Sequence, residues 1–179
     1  MVTGSRVIAW SEMESPVGPI VIAATNKGLC RLDFDRGEQT RIGRSLWAKE
    51  WIGSIRWERN DVELAPIVQQ LKEYFDGVRT QFDLPVDLYG TAFQKLVWRQ
   101  LQGIPYGEVR SYKDIAQAMG APKAVRAVGG ANNKNPVSIV VPCHRVIGSN
   151  GSLVGYGAGL KVKEFLLGLE GALPYKAQA

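Results

Sequence analysis

Two adjacent side chains in this sequence have types that could carry out nucleophilic chemistry. Cys143 is followed directly by His144, which is the only histidine in the chain. A thiol attacks well only as a thiolate, and a neighbouring imidazole is a common means of removing its proton. A lone cysteine, however, is more often a buried structural thiol. The pair by itself leaves both interpretations open.

The residues before Cys143 predict how it is positioned. Four of the five residues 137–141 are apolar and β-branched, which is typical of a short buried strand. Pro142 ends the strand because it has no N–H to donate. We therefore expect Cys143 to stand at the exit of a short strand.

Composition excludes several classes of protein. The chain has 179 residues, 45% of them hydrophobic, enough for one large domain or two small ones. No apolar run is long enough to span a bilayer and the N-terminus lacks a signal-peptide core, so we expect a cytoplasmic protein. Cys30 and Cys143 lie far apart and no CxxC pair exists, so neither a disulfide framework nor structural zinc is expected. The net charge of +5 is compatible with a polyanionic partner, although such an excess is often only surface chemistry.

The first half of the chain predicts an antiparallel meander followed by helices. Cys30 lies in the third strand of this meander, with no base near it in sequence, and is assigned to packing. A helix opens at Asp61 and stops at Gly77, because its apolar residues fall at helical spacing. The remaining predicted elements are strands at 6–15, 18–25, 29–34 and 82–86, a short helix within 36–53, and a linker at 87–90.

The second half predicts a helix-turn-helix. Thr91 caps one helix, and Ser111 caps a second that runs to residue 119. Gly120 closes that helix and Pro122 starts the next at its first position, over residues 123–132. This last helix is rich in small residues, which suits either tight packing against a neighbour or a position in a groove of DNA with Arg126 projecting.

The final predicted helix, residues 160–170, ends on an acidic residue. Val162, Phe165, Leu166 and Leu169 are expected to face inward. The carboxylate of Glu170 at the helix C-terminus opposes the helix dipole, so it needs a compensating partner. The glycine-rich loop at 154–159 before this helix is flexible enough to form the wall of a pocket, and it does not match a phosphate-binding loop.

These features together resemble the alkylguanine-DNA alkyltransferases, also called methylated-DNA–protein-cysteine methyltransferases. The resemblance is strong over about residues 91–171 and weaker in the N-terminal half. It is carried by motifs in the order and spacing of that family: IPYGE at 104–108, SY at 111–112, PKAVRAVGGA at 122–131, NP at 135–136, PCHRV at 142–146 and KEFLL at 163–167.

The resemblance implies roles for individual residues. Cys143 matches the cysteine that takes the alkyl group from O6 of a damaged guanine. His144 matches the imidazole that takes the thiol proton through an ordered water, and Glu170 the carboxylate that orients this imidazole. Tyr112 matches the tyrosine that donates to N3 of the leaving guanine. Asn135 matches the asparagine that connects the recognition helix to the active-site strand.

The resemblance also implies how DNA is held. Arg126 matches the arginine that fills the gap left by a flipped nucleotide, and the small-residue helix is expected in the minor groove. The implied DNA-binding residues are Arg126, Tyr112, Ala124, Val125 and Gly129. The implied walls and backbone donors of the base pocket are Val146, Tyr156 and Gly157.

The predicted fold class is α+β in two domains. A small antiparallel-sheet domain, residues 1–88, is RNase H-like in the family. A mostly helical domain, residues 89–179, carries the helix-turn-helix and the cysteine after its short strand. The zinc site of some relatives is not expected, because the sole histidine already has a role, and no other metal or cofactor is expected.

The predicted function is direct-reversal DNA repair. The expected reaction is irreversible, stoichiometric transfer of an alkyl group from O6-alkylguanine, and from O4-alkylthymine, to Cys143 after base flipping. The protein is expected to bind double-stranded DNA as a monomer, with cooperative binding left open. The alternatives are a non-catalytic alkyltransferase-like damage-binding protein, a helix-turn-helix regulator and a cysteine hydrolase. Cys143 argues against the first, and neither of the others explains all the motifs.

Overall fold

The chain divides into two compact units, Met1–Tyr89 and Gly90–Ala179. The computed structural model describes residues 4–172. Over that range, no helix combines the length and the apolar character that crossing a membrane requires. The predicted fold class is confirmed, with an antiparallel-rich sheet in the N-terminal unit and mainly helices in the C-terminal unit.

The N-terminal unit is built on a four-stranded sheet. Its strands are β1 (Arg6–Met13), β2 (Ile20–Thr25), β3 (Gly28–Phe34) and β4 (Ile55–Arg59). They lie in the order β3-β2-β1-β4. The first three form the predicted antiparallel meander, whereas β4 runs parallel to β1. All of β2 except its last residue is buried, so the core of this unit lies along the central strands.

Two helices complete the N-terminal unit. Helix α1 (Glu38–Trp51) is longer than the short helix predicted from the sequence. Helix α2 (Asp61–Phe75) begins where its apolar spacing predicts. The Asn60 side chain caps it by accepting from the Glu63 N–H at 3.0 Å, which satisfies one of the free donors of the first turn.

One strand of this unit was missed and one predicted strand is wrong. Strand β4 was not predicted, because it is a short edge strand in which three of the five residues are charged. Residues 82–86 form no named strand. Only Val86 makes a bridge, to Leu29, and the Pro85 carbonyl accepts from the Leu29 N–H at 2.9 Å. Pro85 has no N–H for a regular ladder, which explains why the pairing stays isolated.

Residues 90–172 of the C-terminal unit form four α-helices and a short two-stranded sheet. The elements are α3 (Ala92–Gln102), β5 (Arg110–Ser111), α4 (Tyr112–Ala118), α5 (Val125–Asn133), a 3₁₀ turn (Cys143–Arg145), β6 (Val146–Ile147) and α6 (Leu160–Leu169). Strands β5 and β6 are parallel. Thr91 and Ser111 both form capping boxes at the predicted helix starts. The buried Trp98 indole of α3 donates to the Ala131 carbonyl of α5 at 2.9 Å, which links the two helices.

The helix-turn-helix is present with a longer turn than predicted. Gly120 adopts a left-handed φ of 70° after α4, as a C-terminal glycine should. Pro122 lies in the turn and does not occupy the first helical position, because the Ala124 N–H closes a turn onto the Ala121 carbonyl at 2.8 Å. Helix α5 therefore starts at Val125.

The two glycines of α5 are not required by packing inside this unit. A Cβ on Gly129 would come no closer than 3.9 Å to the Tyr112 ring, which is ordinary contact. A Cβ on Gly130 would meet nothing within 4 Å. Tight packing therefore does not explain Gly129 and Gly130, and the alternative of a closely approaching ligand stays a prediction.

Candidate active site

The segment before the cysteine is a tight turn, so the predicted strand at 137–141 is wrong. The Val141 N–H donates to the Val137 carbonyl at 2.9 Å, and a single bridge joins Ser138 to Val141. Ile139 is buried with a left-handed φ of 73°, which is rare for a β-branched residue. We call residues 135–141 the Asn135 turn.

Asn135 holds both ends of this turn. Its Oδ1 accepts from the Val137 N–H at 3.0 Å, and its Nδ2 donates to the Val141 carbonyl at 2.7 Å. The side-chain amide of Asn135 thus makes hydrogen bonds of the kind that a neighbouring strand would make if residues 137–141 formed a strand. Apolar periodicity reports burial and cannot distinguish a buried turn from a buried strand, which explains the error.

The Asn135 turn leads through Pro142 to Cys143, which is buried. Pro142 precedes the 3₁₀ turn, and the Cys143 N–H donates to the Val141 carbonyl at 2.9 Å. Cys143 is 3% exposed, and its Sγ lies 4.0 Å from the Ser138 Oγ. Burial raises the pKa of the Cys143 thiol, although hydrogen bonding from Asn135 and Ser138 works against this increase. The resting group is therefore a thiol, and its use as a nucleophile requires a base.

The imidazole of His144 is hydrogen-bonded to the buried carboxylate of Glu170. The His144 Nε2 lies 2.7 Å from the Glu170 Oε1, and neither side chain is exposed. Arg145 donates to the same carboxylate through Nε at 2.8 Å and Nη2 at 2.9 Å, and to the Ile104 carbonyl through Nη1 at 2.6 Å. Glu170 thus has the compensating partners predicted from its place at the end of α6.

Charge in this cluster is concentrated on Glu170 and Arg145. Burial opposes ionisation of Glu170, but hydrogen bonds from His144 and Arg145 outweigh it and hold the pKa of this carboxyl at about 2. Burial lowers the pKa of His144, so its ring is neutral at pH 7. A carboxylate can only accept, so His144 donates from Nε2 and keeps a lone pair on Nδ1. The Nδ1 atom is buried and has no hydrogen-bond partner in residues 4–172, which leaves it able to take a proton.

The lowered pKa values of His144 and Glu170 make the free energy of unfolding depend on pH in the acid range. Each folded-state pKa lies below its unfolded value, so the stabilisation is complete at neutral pH and is lost as pH falls. The loss begins near 6.5 for His144 and near 4.5 for Glu170, and it continues towards pH 2. Between pH 7 and pH 3 we expect the free energy of unfolding to fall by roughly 2 kcal/mol from Glu170 alone. Urea titrations between pH 7 and pH 3 measure this fall, and a flat profile would contradict the assignment.

Tyr112 is the first residue of α4. Its hydroxyl donates to the Val154 carbonyl at 3.0 Å, with the Gly155 carbonyl at 3.4 Å. Burial, together with the nearby Cys143, raises the pKa of Tyr112 to about 12. The group is therefore a protonated donor at neutral pH.

The three predicted pocket residues follow the 3₁₀ turn. Val146 is buried in β6, and Tyr156 and Gly157 lie in the loop before α6. Two further polar residues near this region were missed from the sequence: Asn132 and Lys163. Asn132 is 2% exposed on α5, and its Nδ2 donates to the Cys143 carbonyl at 3.4 Å.

Lys163 is the larger omission. It has 0% exposure on α6, and its Nζ donates to the Val146 and Val154 carbonyls. Phe165, predicted to face inward, is 39% exposed instead. The buried face of the helix consists of Lys163, Leu166 and Leu167. These three residues have the i, i+3, i+4 spacing of one helix face. This spacing would have predicted that Lys163 is buried if charged residues had been considered for the buried face.

The predicted DNA-binding residues lie at the start of α5 and along it. Val125 and Arg126 are exposed, whereas Ala124 and Gly129 are half-buried. In the part of the chain described here, no recorded hydrogen bond or ion pair joins Arg126 to Cys143, His144 or Glu170. The Arg126 side chain is thus available on the surface of the helix-turn-helix.

Known families match both units. Residues 92–172 match the model of the 6-O-methylguanine DNA methyltransferase, DNA binding domain. Residues 8–88 match the ribonuclease-like domain of the same protein family. The chain belongs to the 6-O-methylguanine DNA methyltransferase family. The resemblance seen in the sequence is confirmed, and with it the assignment to an enzyme family.

Individual relatives agree with this membership. A methylated-DNA–protein-cysteine methyltransferase of Methanosarcina barkeri is 49% identical over 88% of this chain and 94% of its own length. One of Mycolicibacterium paratuberculosis is 46% identical over 92% of this chain and 93% of its own. The crystal structure of Mycobacterium tuberculosis OGT in complex with DNA matches with a TM-score of 0.79 and 41% identity, over 92% of this chain and 93% of that one.

Proposed function

We propose that this protein repairs DNA by taking an alkyl group from O6 of an alkylated guanine, and from O4 of an alkylated thymine, onto Cys143. One observation carries the proposal. The neutral ring of His144 is fixed through Nε2 on Glu170, with a free lone pair on Nδ1, in the residue that directly follows the buried Cys143 in the sequence. This is an arrangement of nucleophile, base and orienting acid, in a chain of the methyltransferase family.

The proposed reaction is a displacement at carbon. His144 takes the Cys143 thiol proton, either directly or through a bridging water. The thiolate attacks the alkyl carbon, so that a C–S bond forms as the C–O6 bond breaks. The bonding electrons pass to the guanine, where Tyr112 donates to N3 as negative charge develops. The product thioether has no easy leaving group, so each molecule acts once.

The proposed DNA-bound state places residues 89–179 against the duplex. The target atom is inaccessible in the stacked helix, so the nucleotide must be flipped out. Helix α5 lies in the minor groove, where Ala124, Val125 and Gly129 permit close contact and Arg126 fills the gap in the stack. The pocket for the flipped base is walled by Val146, Tyr156 and Gly157, and Asn135 fixes the turn that holds the sulfur. The protein acts as a monomer.

Intact-mass analysis tests the central claim. The protein is mixed with a duplex that contains one O6-methylguanine, and its mass is compared with that after mixing with the unmodified duplex. We expect a gain of one CH₂ on the protein, only with the methylated duplex, and the modified peptide should contain Cys143. Saturation at one group per molecule is expected with excess substrate. Unchanged mass after prolonged exposure would refute the function, and would favour a non-catalytic damage-binding role.

Replacement of Arg126 tests the flipping step separately. Arg126→Ala should lower the rate of alkyl uptake from duplex DNA by about tenfold, because unstacking costs a few kcal/mol that the arginine helps to offset. Uptake from the free base O6-benzylguanine should not change, since no stack has to be opened. Lys123→Ala, in the exposed turn before α5, is the matched control. Equal losses on both substrates would exclude this role for Arg126.

A further inference from the structure

A buried ammonium group joins the strand after the cysteine to the loop before α6. Lys163 has 0% exposure, and its Nζ donates to the Val146 carbonyl in β6 and to the Val154 carbonyl at 2.9 Å. The carboxylates of residues 4–172 form no recorded ion pair with it. A buried charge without a carboxylate partner is costly, so its retention calls for an explanation.

The Val154 carbonyl has two donors. It accepts from Lys163 Nζ and also from the Tyr112 hydroxyl, at 2.9 and 3.0 Å respectively. A carbonyl oxygen has two lone pairs and can serve both donors at once. The Lys163 Nζ also lies 5.8 Å from the centre of the Tyr112 ring, so the two side chains are neighbours.

The shared Val154 carbonyl matters because the Tyr112 hydroxyl already donates its hydrogen bond to this acceptor. To donate to a bound base, its O–H must leave the Val154 carbonyl. A carbonyl with no other donor would lose its hydrogen bond within the protein when the hydroxyl turned away, whereas a carbonyl with a second donor keeps one. Lys163 supplies that second donor and holds the loop in place while the hydroxyl turns.

We infer that Lys163 is a positioning residue that keeps the Val154 carbonyl satisfied and so frees Tyr112 to donate to the substrate base. The inference rests on the function proposed above. Lys163 touches neither the alkyl group nor the leaving guanine in this role. It acts through the carbonyl that it shares with Tyr112.

Two substitutions separate the donor from the charge. Lys163→Met removes both, and Lys163→Gln removes the charge but keeps an N–H donor. We expect Lys163→Met to lower the rate of alkyl uptake from the methylated duplex by about tenfold, the scale of one buried hydrogen bond, and Lys163→Gln to recover most of that loss. Lys161→Met, exposed on the same helix, should leave the rate unchanged. Equal rates for Lys163→Met and Lys163→Gln would overturn the inference, because the charge alone would then account for the effect.

A double-mutant cycle tests whether the effect passes through Tyr112. In the Tyr112→Phe background, Lys163→Met and Lys163→Gln should have the same rate, because no hydroxyl remains to be freed. A difference that persists in this background would reject the coupling. If Lys163→Met does not fold, the Lys163→Gln effect is measured in both backgrounds and must shrink when Tyr112 is replaced. Failure of the proposed function is distinguished by the unsubstituted protein, which would then take up no alkyl group at all.

Discussion

A Cys143→Ser variant is expected to take up no alkyl group from methylated DNA while it still binds the duplex. A serine hydroxyl remains protonated where a thiol can ionise, and it is a far weaker nucleophile towards an alkyl carbon. The replacement is no larger than cysteine, so it should not disturb the turn held by Asn135. Intact mass reports uptake, and a mobility shift with the methylated duplex reports binding.

The second cysteine gives a matched control. Cys30 is also fully buried, but its Sγ donates to the Ala23 carbonyl of the N-terminal sheet. Burial there raises the pKa of the Cys30 thiol to about 12. Cys30→Ser can keep the hydrogen bond, and we expect it to take up the alkyl group normally. Residual uptake by Cys143→Ser, or loss of uptake in Cys30→Ser, would show that the nucleophile has been misassigned.

Glu170→Gln is expected to reduce both stability and rate. The carboxylate accepts from His144 Nε2 and twice from Arg145, and its side chain is wholly buried. Removal of its charge leaves a buried guanidinium without a counter-ion, and breaking such pairs costs about 3–5 kcal/mol. An amide can also donate to His144, which would shift the ring proton to Nδ1 and remove the base. We therefore expect the rate of alkyl uptake to fall roughly 10²-fold.

The two effects of Glu170→Gln can be separated by a second substitution. Arg145→Met also breaks the ion pair, but it leaves the carboxylate in place to fix the His144 ring. It should lower the free energy of unfolding by a similar amount and reduce the rate much less. Glu164→Gln, exposed on the same helix, should change neither quantity. Stability is read from urea titration and rate from the time course of intact mass. An unchanged rate in folded Glu170→Gln would show that the acid does not orient the base.

The sequence predicted those parts of the site that follow from local chemistry. The adjacency of Cys143 and His144 needed no structure, and the unfavourable position of Glu170 at a helix C-terminus predicted its buried partners. Capping residues located the starts of α3 and α4, because Thr91 and Ser111 satisfy donors within their own helices.

The parts that were not predicted depend on contacts distant in sequence or on backbone conformation. The apolar run before Cys143 correctly indicated burial, but its backbone forms a turn that is stabilised by hydrogen bonds from the Asn135 side-chain amide. Lys163 was not among the residues predicted to face inward, although carbonyls from two other segments hold it inside. Strand β4 lies at a sheet edge, where half-exposed positions dilute the apolar pattern. In each case the decisive partner lies outside the window that a sequence pattern covers.

The left-handed conformation of Ile139 limits how this chain could be made more heat-resistant. Such a backbone costs about 1–3 kcal/mol for a residue of this type, and glycine would relieve it. Glycine would also empty the space that the isoleucine side chain fills, where exposure is only 1%. No common amino acid offers both the relaxed backbone and the filled volume. The left-handed backbone at position 139 therefore lowers stability by an amount that substitution of this residue alone does not recover.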